Sequence, residues 1–156
     1  MVGAPLGPPR RPSLASRPVL AILPISTGYE LLGYLHVLAV IAAFGPLFTY
    51  PSMQRAGATQ SLAKLHIRLV LPALTLVWVF GMGLVGASDD VWELSDTWIL
   101  LSLIAWVVLM LVSWFLIRPA INDTGETARS RLAAGVGITH LMLVVVLYLM
   151  IFKPGV

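Results

Sequence analysis

One uninterrupted apolar run decides the class of this protein: residues 97–117, which read TWILLSLIAWVVLMLVSWFLI, contain no Asp, Glu, Lys or Arg. A helix needs roughly 20 apolar residues to cross a hydrocarbon core of about 30 Å. Three further runs of this length and kind occupy residues 31–50, 69–87 and 132–152. Because backbone groups in lipid must find their partners within the segment, we predict an all-α polytopic membrane protein, an antiparallel four-helix transmembrane bundle.

The composition supports the same class. Of the 156 residues 58% are hydrophobic and 11% are charged, and the mean hydropathy is +0.91, far from the mixture of a soluble domain. We predict a transmembrane domain over residues 29–154. An irregular tail, residues 1–28, precedes it and holds more than half of the chain's 11 prolines. The absence of cysteine excludes disulfides and thiolate metal ligands. The basic residues form no run, so the predicted partner is the lipid bilayer rather than nucleic acid.

The distribution of charge predicts an orientation. The first and third connections, residues 51–68 and 118–131, together hold six Lys or Arg side chains, whereas the second, residues 88–96, holds none and carries four carboxylates. Basic residues near spans accumulate on the cytoplasmic side. We therefore predict that residues 51–68 and 118–131 are cytoplasmic and that both termini are outside, in the plasma membrane of a bacterium.

Two histidines lie at membrane depth and are the first candidates for a function. Polar groups there are costly and tend to face the bundle interior, which applies to His36 and His140. Counted from the span ends, the two imidazoles differ in height by roughly 7–10 Å. The alternatives are a polar contact across the bundle, haem ligation by His36 with or without His140, and a proton relay. The third histidine, His66, is expected near the headgroups.

Other residues predict how the helices pack. Pro46 and Pro72 are expected to bend their helices, and Tyr50-Pro51, Arg118-Pro119 and Lys153-Pro154 are expected to end theirs. Gly81 and Gly83 lie in a glycine pattern that resembles a dinucleotide fingerprint, but that fingerprint needs a soluble βαβ unit. Inside a span, the small residues Gly83 and Ala87, four apart, are instead expected to allow another helix to approach closely. Trp92, Trp98 and Trp114 sit where an aromatic belt would lie, and Trp106, at mid-depth, is expected to face lipid or a second protein.

A family resemblance rests on motifs between residues 30 and 118. They are Leu35-His36, Gly45-Pro-Leu-Phe48, Tyr50-Pro51, the stretch from Pro72 through Trp78 to Gly81, and Trp98. This order resembles an uncharacterised family of bacterial integral membrane proteins and, more distantly, the membrane part of copper-resistance protein D and the J-type protoporphyrinogen oxidase. The resemblance to the oxidase implies haem binding through His36. The lysine that follows the tryptophan of the third helix in that family has no counterpart in residues 99–103, so the resemblance does not carry the oxidase activity over.

Three functional hypotheses follow from the sequence. The first is an accessory or structural membrane subunit without catalysis of its own, which associates with other membrane subunits or with itself. The second is a haem-binding redox or haem-handling protein that uses His36. The third is a protein that permits an ion or a metal such as copper to cross the membrane. No catalytic residue and no resident metal site are predicted, and haem is the candidate cofactor.

Overall fold

The computed structural model describes residues 25–89, 91–123 and 125–155. Four helices in this part of the chain are long and apolar enough to cross a membrane: α1 (Thr27–Arg55), α2 (Thr59–Gly86), α3 (Thr97–Ile121) and α4 (Glu126–Phe152). No strand occurs among the described residues, so the all-helical class is confirmed. Of the predicted tail, residues 1–24 lie outside the described residues, and helical structure already begins at Ile25.

Two of the expected helix ends are wrong. Tyr50-Pro51 does not end α1, which continues to Arg55, and Arg118-Pro119 does not end α3, which continues to Ile121. The third expectation is confirmed, because α4 ends at Phe152 and Lys153 turns into the left-handed region with φ of 43°. The connection between α1 and α2 is consequently only residues 56–58, where Gly57 adopts φ of 70° and so allows the tight reversal.

The helices continue past Pro51, Pro72 and Pro119, and in each case a segment that departs from α geometry lies shortly before the proline. The departures from α geometry are a 3-10 segment in α1 (Gly45–Thr49) and π segments in α2 (His66–Val70) and in α3 (Val112–Ile117). Proline lacks an N–H group, and its ring clashes with the carbonyl four residues earlier. A tightened or widened turn relieves this conflict. In α1 the Tyr50 N–H donates to the Leu47 carbonyl. Pro51, the next residue, has no N–H group and cannot make such a bond.

The tightly packed core lies at one end of the bundle, next to the connections 56–58 and 122–125. Its fully buried members include Leu47, Tyr50, Leu62, Leu74 and Ile117. Outside this core, α1 packs most extensively against α2, and α3 packs against α4. A polar group at the end with the short connections would therefore be the most completely shielded from whatever surrounds the protein.

Candidate functional site

A polar cluster lies inside this core. His66, in α2, is fully buried, and its Nδ1 atom lies 2.9 Å from the hydroxyl oxygen of Tyr50 in α1, which is fully buried too. On the other side of the ring, Nε2 lies 3.3 Å from the carbonyl oxygen and 3.1 Å from Oγ of Ser113 in α3. The imidazole thus joins three helices. We call Tyr50, His66 and Ser113 the buried triad.

The backbone irregularities position the two triad members on α2 and α3. His66 opens the π segment of α2 and Ser113 is the second residue of the π segment of α3. In each case a proline follows six residues later, Pro72 and Pro119. The widened turns are closed by bonds from residue i+5, so that the Ser113 carbonyl accepts from the Arg118 N–H and also faces His66. Such π bulges are frequent at functional sites.

The contacts favour one distribution of protons. A carbonyl oxygen only accepts, so its contact with Nε2 is a hydrogen bond when Nε2 carries the proton. Nδ1 is then the acceptor for the Tyr50 hydroxyl, and both ring nitrogens are satisfied. With this tautomer the ring is neutral, which suits a site from which water is excluded.

The triad holds the helices together more readily than it supports chemistry on a substrate. A cavity of about 10 Å³ adjoins the ring, lined by Ala63, His66, Ile67, Arg118, Ile121 and Asn122. A single water molecule needs roughly 10–15 Å³, so no larger molecule fits there. The sequence placed His66 near the headgroups without assigning it a partner; the structure shows that its imidazole points into the bundle, where α1 and α3 supply its partners.

His36 is half-buried and lies between α1 and α2. Its Cε1 atom would be 3.2 Å from a Cβ built on Gly81, so the ring rests on the glycine backbone of α2. The Nδ1 atom of His36 is buried and makes no hydrogen bond of regular geometry, although the Val77 backbone of α2 interacts with the ring. The absence of a side chain at Gly81 gives the imidazole its place, which is a close packing role for that glycine.

His140, in α4, has a different neighbourhood. Its ring centroid lies 4.1 Å from that of Phe48, with the planes tilted by 40°, and its Nε2 atom is buried without a partner. Phe48 follows His36 by 12 residues, a rise of about 18 Å along α1. The structure therefore does not bring His36 and His140 together as opposite ligands of one iron.

The fit of haem can be tested against these surroundings. The unpartnered Nδ1 of His36 is a free donor atom for a metal, but Gly81 covers that side of the ring. The cavity at His66 borders neither His36 nor His140, and an open groove beside Trp114 borders neither of them either. Among the described residues no three His, Asp or Glu side chains come together as a metal site. Ligation by His36 alone thus remains a prediction that requires α1 and α2 to separate locally.

Trp106 and Trp78 join α3 to α2 near the middle of α3. Their ring centroids are 5.7 Å apart with nearly parallel planes, and Trp106 Nε1 donates to the Leu74 carbonyl over 2.8 Å. Trp106 therefore turns toward α2, whereas the sequence led us to expect a side chain that faces lipid or a second protein. Leu74 lies just beyond Pro72 in the regular segment Leu71–Gly86, so the indole adds a hydrogen bond between α3 and α2 there.

The tryptophans at the other end of α3 do not form a simple outward-facing belt. Trp98 is only 7% exposed and packs edge-on against Trp92 with 5.4 Å between ring centroids. The Nζ atom of Lys153 lies 3.9 Å from the Trp92 centroid, a cation–π contact that fixes the end of α4 to the connection between α2 and α3. Trp114, by contrast, is 48% exposed at the opposite end of α3, as an interfacial anchor would be.

The tightest approach of two helices at a glycine lies at Gly135 rather than at Gly83. A Cβ on Gly83 would meet Leu32 at 3.5 Å, an ordinary contact between α2 and α1. A Cβ on Gly135 would lie 2.7 Å from Ile117 Cγ1, which real side chains do not tolerate. Pro46 lies in the 3-10 segment that brings Phe48 to His140.

Comparisons with known proteins leave these residues as the only basis for a function. No protein-family model, curated protein or solved structure matches the chain. The buried triad is the feature that sequence reasoning missed. Its one available signal is the repeated spacing of a polar residue six positions before a proline, at His66 and Ser113.

Proposed function

We propose that the chain is an integral membrane protein whose four helices cross the bilayer as an antiparallel bundle. Contacts between α1 and α2 pair residues whose numbers run in opposite directions, Tyr50 with His66 and His36 with Gly81. The hydrogen bonds from α3 to α2 repeat this order. Each helix also exceeds the roughly 20 residues that a crossing requires.

The observation that carries this proposal is the apolar outer surface. On every one of the four helices large aliphatic side chains point outward, for example Ile41 at 62%, Ile104 at 59% and Leu141 at 60% exposure. Soluble monomers rarely expose contiguous apolar patches beyond a few hundred Å². Lipid is the surrounding that makes such a surface favourable.

The proposed orientation places connections 56–58 and 122–125 in the cytoplasm and both termini outside, in a bacterial plasma membrane. The basic residues near the first of these support it under the positive-inside rule. The chain has no cysteine, so single cysteines at Ala56 and Ser95, both exposed, can be labelled one at a time. We expect a membrane-impermeant maleimide to label Ser95→Cys in intact cells, and Ala56→Cys only after permeabilisation. The reverse pattern would overturn the orientation.

Within the membrane we propose the role of an accessory or structural subunit without catalysis of its own. The polar side chains at depth support this role, because Tyr50, His66, Ser113 and Trp106 are all engaged in contacts between helices. A subunit of this kind acts by presenting its outer surface to other membrane proteins or to copies of itself.

Two measurements test this role. After alkaline carbonate extraction the protein should stay with the membrane. Solubilised in mild detergent and studied by size-exclusion chromatography with light scattering, it should appear as an oligomer or together with stoichiometric partners. A colourless monomer that persists after crosslinking in native membranes would contradict the role.

A second candidate is haem binding through His36, whose buried Nδ1 atom makes no hydrogen bond of regular geometry; α1 and α2 would have to separate locally at Gly81 to expose that atom. Haem would supply one-electron chemistry. We expect a reduced-minus-oxidised spectrum with a Soret band that His36→Ala abolishes and His140→Ala leaves in place, since the two rings have different neighbourhoods. Absence of the band after expression with ample haem would exclude this candidate. Ion or copper permeation stays a prediction, and no contact among the described residues favours it.

A further inference from the structure

The end of the bundle with connections 56–58 and 122–125 is strongly basic, and we call it the basic end. Two acidic residues stand there, Asp123 and Glu126. The basic residues at this end are Arg55, Lys64, Arg68, Arg118, Arg129 and Arg131. An excess of positive charge at a membrane surface attracts anionic lipid headgroups.

Arg118 differs from the other basic residues at this end because it lies at an open groove. The groove, of about 420 Å³, is lined by Trp114, Phe115, Arg118, Pro119 and Asn122 of the end of α3. The Arg118 guanidinium lies 4.2 Å from the centroid of the Trp114 ring, which supports it from one side. No ion pair of Arg118 with a carboxylate occurs among the described residues. The charged guanidinium thus offers its N–H donors in an open groove that two aromatic side chains also line.

The groove combines polar and apolar groups in the order that a phospholipid presents them. Trp114, Arg118 and Asn122, the residue directly after α3, lie beside one another, because the Arg118 guanidinium covers the Trp114 ring and the Asn122 side chain bonds the Arg118 carbonyl. Arg118 follows Thr97 by 21 residues, which is about 31 Å along the helix and matches a hydrocarbon core of about 30 Å. Arg118 therefore lies at the polar boundary. Trp114 and Phe115 lie one turn deeper, where an acyl chain begins.

We propose that this groove binds an anionic phospholipid, with the Arg118 guanidinium on its phosphate and Trp114 and Phe115 against its acyl chain. Asn122 completes the polar part, and its Nδ2 atom donates to the Arg118 carbonyl over 3.3 Å. Arg118 and Asn122 also line the cavity at His66, so the lipid site lies directly over the buried triad. The inference rests on the proposed membrane insertion.

The test uses the full chain, purified in detergent and titrated with phosphatidylglycerol or phosphatidylcholine, with bound lipid read by native mass spectrometry. We expect preferential retention of phosphatidylglycerol. Arg118→Gln should weaken it about five-fold, the contribution of one basic side chain near a membrane surface, and should leave phosphatidylcholine retention unchanged. The matched control is Arg129→Gln, at the same end of the bundle but on α4, exposed and outside the groove. It should retain phosphatidylglycerol as the wild type does.

Several results would overturn the proposal. Equal phosphatidylglycerol retention by the wild type and Arg118→Gln would remove the site. An equal loss of phosphatidylglycerol retention in Arg129→Gln would mean that the lipid is attracted to the basic end as a whole. Displacement of the lipid by a ten-fold excess of inorganic phosphate would mean that the groove binds a free anion. Arg118→Lys keeps the positive charge at this position, and it serves to check that a substitution here leaves the protein folded. If carbonate extracts the wild type from membranes, the proposed insertion fails. If it does not, and Arg118→Gln binds equally, only the lipid site fails.

Discussion

The buried triad predicts that one hydroxyl group in α1 contributes measurably to stability. Tyr50→Phe removes that hydroxyl and leaves the ring in place, so packing is conserved while Nδ1 of His66 loses its partner 2.9 Å away. A buried polar atom left unpaired costs about 1–3 kcal/mol. Hydrogen bonds between membrane helices average about 0.6 and reach about 1.7 kcal/mol. We therefore expect a loss of about 1–2 kcal/mol in the free energy of unfolding.

The second partner of the imidazole gives the experiment an internal comparison. Ser113→Ala removes Oγ but leaves the Ser113 carbonyl, which still accepts from Nε2 of His66. This variant should lose less than Tyr50→Phe. The free energies are measured by titrating the protein in mixed micelles with a denaturing detergent and following circular dichroism. Tyr34→Phe is the matched control, because Tyr34 is on the same helix and 65% exposed, and it should unfold as the wild type does.

An unfolding curve for Tyr50→Phe that superimposes on that of the wild type would refute the reasoning. It would mean that His66 is satisfied without Tyr50. A larger loss in Ser113→Ala than in Tyr50→Phe would show that Oγ rather than the carbonyl is the main partner of Nε2. The proton assignment would then lose its basis, because a hydroxyl can donate as well as accept.

Three further perturbations have defined outcomes. Gly135→Ala should destabilise by about 1–3 kcal/mol, since its Cβ would clash with Ile117; Gly137→Ala, where nothing lies within 4 Å, should be neutral or stabilising in the same titration. Trp106→Phe keeps the aromatic packing and loses one hydrogen bond, which should cost about 1 kcal/mol; an unchanged midpoint would contradict this. Lys153→Ala should lower the free energy of unfolding by about 0.5–2 kcal/mol and change the tryptophan fluorescence. An unchanged fluorescence spectrum would argue against the cation–π contact.

The four helices could be predicted from sequence because the signal is large and local. Runs of about 20 residues without a charge have few alternatives to a helix in lipid. The helix ends were less predictable. Proline at 51 and 119 indicates a stop in a soluble helix, yet in this chain a 3-10 segment and a π segment carry α1 and α3 onward. Whether a proline ends a helix or distorts it depends on packing from neighbouring helices, which a sequence pattern does not contain.

The burial of His66 was not predicted for a related reason. The predicted span begins at residue 69, whereas α2 begins at Thr59, so that His66 already packs against α1 and α3. His36, by contrast, was correctly expected between helices. Its actual neighbour, Gly81, supplies space for the ring and no hydrogen-bonding group for Nδ1.

His66 has a structural role, whereas His36 is a candidate for binding a ligand. The imidazole of His66 has both nitrogens occupied, lies in the tight core and is reached only by a cavity of about 10 Å³. Such a group makes the packing around it rigid, and neither of its ring nitrogens is free to bind a ligand. The imidazole of His36 lies outside that core, half-buried, with one nitrogen unsatisfied. An unpaired buried nitrogen is unfavourable unless something binds it. The end of the bundle around His66 is therefore the scaffold, whereas the unpaired ring nitrogens of His36 and His140 are positions where an added ligand or a partner subunit would gain free energy.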